Sequence, residues 1–307
     1  MPPEWLTVSD EVAAALAAGR PVVALESTLI THGLPWPTNL ETARDAEAAV
    51  RAGGAVPATV AVWRGRPTVG LSAVQLDELS RAEGVWKASR RDLGAAVGLG
   101  RLAATTVSAT MILAHAAGVR VFATGGIGGA HRPAGGDAVS WDVSADLTEL
   151  SRTPVLVVCA GAKSILDLPR TVELLETLGV PVLGYRTDRF PRFTVADDAD
   201  GLLVSARVES PAEAAEVFAA HVRLGGGGAL LAQPCPADVV VPADVYDAAL
   251  AEALADARRE KVDGPKATPF VLARLAALTA GRTLTANRAL IVANARLAAE
   301  VAAALTG

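Results

Sequence analysis

The sequence predicts a three-layer α/β/α fold built on a mixed, mostly parallel central sheet. Apolar runs of strand length alternate with longer amphipathic stretches along most of the chain, and several of these runs end in glycine or a polar residue just before a helix signal. One pair of runs meets at a two-residue turn, which adds an antiparallel hairpin to the parallel pattern. At 307 residues and 51% hydrophobic, the chain can bury a large core. No internal repeat or low-complexity linker divides it, so residues 1–307 read as a single domain.

The first clear strand is "PVVALEST", from Pro21 to Thr28. "NLETARDAEAAVRAGG" then reads as a helix closed by glycine. "ATVAVWRGRPTVGLS" contains two strands joined at Arg64-Gly65, and a helix starts at Ser72. A long helical region is expected from about Leu93 to Gly118; within it, Leu102 to Val119 is uncharged but punctuated by threonines, Ser108 and His115, so it reads as a buried helix rather than a membrane span. "VRVFATGG" and "PVLVVCAG" are strands followed by helix signals, and "GVPVLGYRT" continues the alternation. Ser210, Pro211 and Glu213 form a capping-box pattern, four glycines precede the apolar run "ALL", and the last third is largely helical.

Composition narrows the function classes. A net charge of -5 and a pI of 5.5 argue against a wide basic face for nucleic acid. The acidic start "MPPEWLTVSDE" lacks the basic and apolar regions of a signal peptide, so a cytoplasmic protein with no membrane partner is expected. Cys159 and Cys235 lie far apart and lack metal-ligand spacing, which suits small buried hydrophobes. Only Lys87, Lys163, Lys261 and Lys266 are lysines among 28 basic residues. Lysine, unlike arginine, can lose its proton and attack a carbonyl carbon.

In such folds ligands sit at the carboxyl ends of the strands. Those ends deliver Glu26 with His32 beyond it, Thr124 with the glycine turn "TGGIGG" and His131, and Lys163. The segment "SWDVSADL" adds Asp142, Ser144 and Asp146. Asp142 and Asp146 either share a helix face, or Asp142 ends a strand while Ser144 or Asp146 caps the next helix. An oxygen-rich site there suits Mg²⁺ or Mn²⁺. The glycine turn fits phosphate through backbone N–H groups but is no dinucleotide fingerprint, because its glycine spacing fails. Read blandly, Lys163 is a helix-start lysine reaching solvent, and Glu26 a buried acid with a structural partner.

The motifs "ALESTLITHGLPWPTNLETA", "WKASRRDL", "TTVSATM", "FATGGIGGAHR", "DVSADLTEL", "VVCAGAKSILDLPRT", "GVPVLGYRTDRFPRF" and "LTANRALIVANARLAAEVA" occur in an order, and over nearly the whole chain, that resembles the pseudouridine-5′-phosphate glycosidase family. The resemblance implies reversible cleavage of pseudouridine 5′-phosphate to uracil and ribose 5-phosphate, a divalent cation (usually Mn²⁺, with Mg²⁺ an alternative) and a homotrimer. It implies Lys163 as covalent nucleophile, Glu26 as proton donor and Asp142 as metal ligand. Lys87, Val107, Ser144, Ala145 and Asp146 would line the substrate site, with Asn287 near the base. Thr124, Gly125, Gly126 and His131 are added as substrate-binding candidates from the glycine turn, and the basic "WKASRR" segment is expected to assist with phosphate.

This chain departs from the family pattern in three places. "RPAGGDAVSW" is longer than usual, Pro265 and Lys266 replace an expected lysine and acid, and Arg186 and Arg189 are extra arginines. Two other functions therefore stay open: a Schiff-base lyase or C-glycosidase acting on another phosphorylated sugar, and a non-catalytic phosphosugar-binding relative. The last would be expected to lose Glu26 or Lys163, and both are present.

Overall fold

Eleven strands join one sheet in the computed structural model, which describes residues 2–132, 140–196, 201–260, 262 and 267–306. The main path runs β1 (Thr7–Val8), β4 (Arg66–Val69), β3 (Val56–Trp63), β2 (Val22–Leu25), β7 (Val121–Ala123), β8 (Leu156–Cys159), β11 (Ala229–Ala232), β9 (Val182–Tyr185) and β10 (Ala206–Val208). A branch adds β6 (Ala103–Thr105) against β3 and β5 (Trp86–Ala88) against β6. Every pairing is parallel except β3 with β4 and β3 with β6, so the sheet is mixed and mostly parallel, as expected. The hairpin turns at Arg64 (φ 50°) and Gly65 (φ 82°), the left-handed pair that matches the twist of the flanking strands.

β2 and β8 are buried at every position, which explains why their sequences are continuous apolar runs rather than alternating ones. Helix α11 (Arg282–Thr306) packs along β2, β7 and β8 and against α2 (Thr38–Ala52) and α8 (Pro211–Arg223). Helix α5 (Val107–Ala117) covers β2, β3 and β4 and contacts α6 (Ala145–Leu150). Helices α1 (Asp10–Ala17), α3 (Ala73–Arg81), α4 (Leu93–Gly98), α7 (Leu168–Thr177), α9 (Ala243–Arg259) and α10 (Ala267–Leu278) complete the set described. α11 is long and apolar enough to cross a membrane by composition, yet Leu290, Ile291, Ala295 and Ala298 are buried in the core that covers the sheet.

The caps follow the sequence signals. Ser72 and Gln75 form a reciprocal capping box at α3. Ser210 caps α8 by accepting from the Glu213 N–H at 3.2 Å, but the Glu213 carboxylate reaches the N–H of Glu209 rather than that of Ser210. The expected long helix from Leu93 to Gly118 is instead α4, β6 and α5. Its first part stops at Gly98–Gly100, where the Arg101 N–H closes back on the Ala96 carbonyl at 2.8 Å. "AAT" then pairs with β3 and β5, because a short apolar run cut off from the helix before it by Gly98–Gly100 takes the edge that the sheet offers. β1, β5 and β10, of two or three residues each, carry no periodic signal of their own.

Candidate active site

Two loops that leave neighbouring parallel strands are laced together beyond the sheet. After β7, the turn from Thr124 to Ala130 runs beside the segment after β8. The Ala160 N–H donates to the Gly125 carbonyl at 2.9 Å, Ile127 to Gly161 at 3.0 Å, and Lys163 to Ile127 at 3.1 Å. Gly161 makes the bend possible: its φ is 77°, and a Cβ there would collide with the Pro191 carbonyl. Lys163 thus leaves a backbone fixed at both sides.

Glu26 follows β2, next to β7. Its carboxylate accepts from the hydroxyls of Thr28 and Thr124, one on each oxygen. The Thr124 carbonyl accepts from Asn294 of α11 at 2.7 Å, and Gln233 donates to Asn294 Oδ1 at 2.8 Å. The acid is therefore held by a chain of partners from three elements.

Glu26, Lys87 and Lys163 border the same two adjoining cavities. One, about 190 Å³, is polar and includes Ser89, Thr106, Val107, Gly128, His131, Ser144 and Asp146 in its walls. The other, about 70 Å³, is bounded by Gly125, Gly126, His32, Phe193 and Asn287. Lys87 is open to solvent on its outer side, but desolvation around its ammonium and then the charge of Lys163 hold its pKa below the ordinary lysine range. Burial first, and Lys87 second, lower the pKa of His32. Cys159, fully buried behind Lys163, has a thiol pushed up to about 12 by burial and behaves as an inert hydrophobe.

Asp146 and Asp142 are separated by their surroundings. Asp146 is buried at the start of α6 and accepts from the Ser108 N–H at 3.0 Å and the Gly128 N–H at 2.9 Å. Ser144, the N-cap of α6, accepts from the Asp146 N–H and packs so close to Gly128 that a Cβ there would collide with it. Ala145 is the first residue of this helix. Asp142 instead lies exposed on a loop, with its Oδ2 4.0 Å from His131 Nδ1. The two carboxylates share no helix face. Among the described residues no three His, Cys, Asp or Glu side chains gather as a metal cluster. One exposed carboxylate beside an imidazole fits a hard cation that keeps most of its waters, such as Mn²⁺ or Mg²⁺.

The segments expected to hold phosphate are partly engaged within the protein. In the glycine turn, the N–H groups of Thr124, Ile127, Gly128 and Ala130 already have protein acceptors. In "WKASRR", Arg90 is engaged by buried Glu149 and Arg91 by Asp92, so Lys87 and Ser89 alone face the cavity. The N-terminus of α5 reaches that cavity at Thr106 and Val107; its Ser108 N–H is taken by Asp146 and the Thr106 N–H by the Ala88 carbonyl, so what it offers an anion is chiefly the helix dipole. Arg186 and Arg189, the extra arginines, bond the Glu209 and Gly201 carbonyls. The cavity walls also include Thr28, Thr106 and Thr268, which sequence reading passed over. Lys261, Lys266, Pro265 and most of the long loop, residues 133–139, lie outside the described residues.

An open sheet that gathers two amines and a carboxylate beyond its parallel strands defines an enzyme class with a candidate lysine nucleophile and a small polar substrate. The family described as "Indigoidine synthase A like protein" matches residues 11–304. Pseudouridine-5′-phosphate glycosidase of Methylobacterium nodulans is 54% identical over 308 residues, covering 100% of this chain and 90% of its own. That of Herpetosiphon aurantiacus is 52% identical, covering 98% of each. Among solved structures, the prealnumycin C-glycosynthase AlnA in complex with ribulose 5-phosphate superposes with a TM-score of 0.90 at 43% identity, covering 99% of this chain and 98% of its own. An indigoidine synthase A-like protein of Thermotoga maritima gives 0.87 at 34%, with the same coverage. The chain belongs to this indigoidine synthase A-like family, that of the pseudouridine-5′-phosphate glycosidases.

Proposed function

We propose that this protein reversibly cleaves the C–C glycosidic bond of pseudouridine 5′-phosphate to uracil and ribose 5-phosphate. The observation that carries the reading is the meeting of Lys163, Lys87 and Glu26 around one polar cavity at the strand ends. The names of its full-length relatives agree with it. A non-catalytic relative would have no reason to keep this arrangement.

A carbon-linked base cannot leave by protonation of a heteroatom at the anomeric bond. In the proposed route, neutral Lys163 Nζ bonds to C1′ while the C1′–O4′ bond breaks and Glu26 gives a proton to O4′. The C1′-bound ammonium loses a proton to the Glu26 carboxylate. The freed nitrogen lone pair forms the C1′=N bond as the C1′–C5 bond breaks, and Glu26 returns that proton to C5 of the departing uracil. Water adds to the imine, returning ribose 5-phosphate and the free amine. Desolvation, and then the charge of Lys163, hold the Lys87 pKa below the ordinary lysine range. Lys87, Ser89 and the N-terminus of α5 receive the 5′-phosphate, and that remote binding aligns C1′ with the amine. Asn287 faces the base.

Asp142, with His131 beside it, would hold the divalent ion at the rim, where it would supply positive charge near the sugar phosphate. By resemblance the working assembly is a homotrimer in the cytoplasm. The test is uracil release from pseudouridine 5′-phosphate with Mn²⁺, beside uridine 5′-phosphate as control. Release from the N-glycoside alone would defeat the assignment. Borohydride reduction in the presence of ribose 5-phosphate should place its adduct on Lys163.

A further inference from the structure

A third and larger cavity, about 420 Å³, opens from the amine–carboxylate junction past His32, Phe193 and Asn287, which border both spaces. Its volume lies in the range of about 300–1,000 Å³ typical of sites for drug-sized ligands. His32 and Asn287 stand where the two spaces meet. Leu34, Pro35, Ala273, Ala276 and Leu284 make much of the remaining wall apolar, interrupted by Thr31, Thr194 and Thr283. Tyr246, another wall residue, has its hydroxyl tied to Ser164 at 2.7 Å, so this polar atom is already satisfied. The chamber is large for a single pyrimidine ring, so a base held at Asn287 leaves mostly apolar wall uncovered, and covering that wall is favourable.

We infer that this chamber is an extended aglycone site, and that in the synthetic direction the protein joins ribose 5-phosphate to planar bicyclic aromatic lactams as well as to uracil. The inference rests on the proposed function for its chemistry. The aldehyde of ribose 5-phosphate and Lys163 lose water to form the imine. The electron-rich aglycone carbon then bonds to C1′ and loses its C–H proton to a base. Finally O4′ displaces the protonated amine from C1′ and gives up its own proton. The balance is sugar phosphate plus aglycone giving C-glycoside plus water. Fusing a second ring on the edge opposite the reacting carbon projects it away from the sugar and into the chamber.

The test compares uracil, 4-hydroxypyridin-2-one and its benzo-fused counterpart 4-hydroxyquinolin-2-one, each with ribose 5-phosphate and Mn²⁺, with products read by mass. The pyridone and quinolone share one nucleophilic carbon environment, so their ratio isolates the second ring. The quinolone is expected to match or exceed the pyridone in kcat/KM. Ala276→Phe, which puts a bulky ring in place of a wall residue, should lower the quinolone-to-pyridone ratio at least tenfold. Pyridone turnover with no quinolone turnover, or an unchanged ratio in the Phe variant, would overturn the inference while leaving the proposed function standing. If not even uracil reacts, the proposed function fails, and calorimetry still decides the chamber. Quinolone should bind the wild type more tightly than pyridone does and lose that advantage in Ala276→Phe; equal binding of both rings to both proteins would reject the site.

Discussion

The floor of the cleft and its rim are built in opposite ways. At the floor, Glu26 is held by two hydroxyls, and Lys163 leaves a backbone laced to the neighbouring loop. Buried Asp146 spends both carboxylate oxygens on backbone N–H groups. At the rim, Asp142 is exposed and meets His131 across 4.0 Å. Covalent attack needs atoms placed within a fraction of an ångström, whereas a hydrated cation tolerates a loosely placed carboxylate. The contrast teaches that two aspartates four residues apart in sequence can meet opposite surroundings, one buried as framework and one exposed where the proposed cation would bind.

The contrast is sharpest where the floor is changed. Lys163→Arg keeps the charge but loses the dissociable proton, so uracil release should fall by about 10⁴-fold or more while the melting temperature is kept. Glu26→Gln should cost about 10²–10⁴-fold, with borohydride trapping of ribose 5-phosphate partly preserved because that sugar opens unaided. An active Arg variant would break the floor's role. Next in size, Asp146→Ala strands two backbone N–H groups and should destabilise the fold by about 2–5 kcal/mol in urea unfolding. The same substitution at Asp142 should leave stability within about 0.5 kcal/mol and raise the Mn²⁺ concentration for half-activation about tenfold or more. If Asp142→Ala proved as destabilising as Asp146→Ala, the distinction between floor and rim would be lost.

The smallest effect is a pH dependence of stability. Because the folded protein holds the Lys87 pKa below its ordinary value of 10.5, the unfolded chain binds more protons between the folded pKa and 10.5. Stability from this group therefore rises with pH across that window, and the cost of the charged amine is fully present below it. Lys87→Gln should be the more stable protein at neutral pH, with the gain shrinking toward pH 10.5. A gain that is constant with pH would mean that packing, not charge, sets the difference.

Much of this was legible because strand ends advertise themselves. Apolar runs that stop at Glu26, Thr124 and Lys163 mark both the sheet and its carboxyl edge, and the two-residue turn marks the hairpin. Legibility failed where tertiary partners decide. "LAATT" looks helical until β3 supplies an edge, and nothing local in "WKASRR" reveals that Glu149 occupies Arg90. The glycine turn promised free N–H groups, but those of Thr124, Ile127, Gly128 and Ala130 are bonded to partners from distant segments. The large chamber was invisible because its walls come from segments as distant as Leu34, Phe193, Tyr246 and Leu284.

The Asn294 side chain sets an order of events in biosynthesis. It lies on α11, the last described helix, yet it bonds the carbonyls of Thr124 and Gly125 in the loop that orients Glu26. Ile291 and Asn287 of the same helix stand against Gly125. A ribosome delivers Glu26 and Lys163 well before this helix, so a nascent chain can assemble much of the sheet with both reactive groups present but without their final brace. The Glu26 carboxylate thus reaches its finished geometry only once α11 has left the ribosome and packed against the loop that holds it.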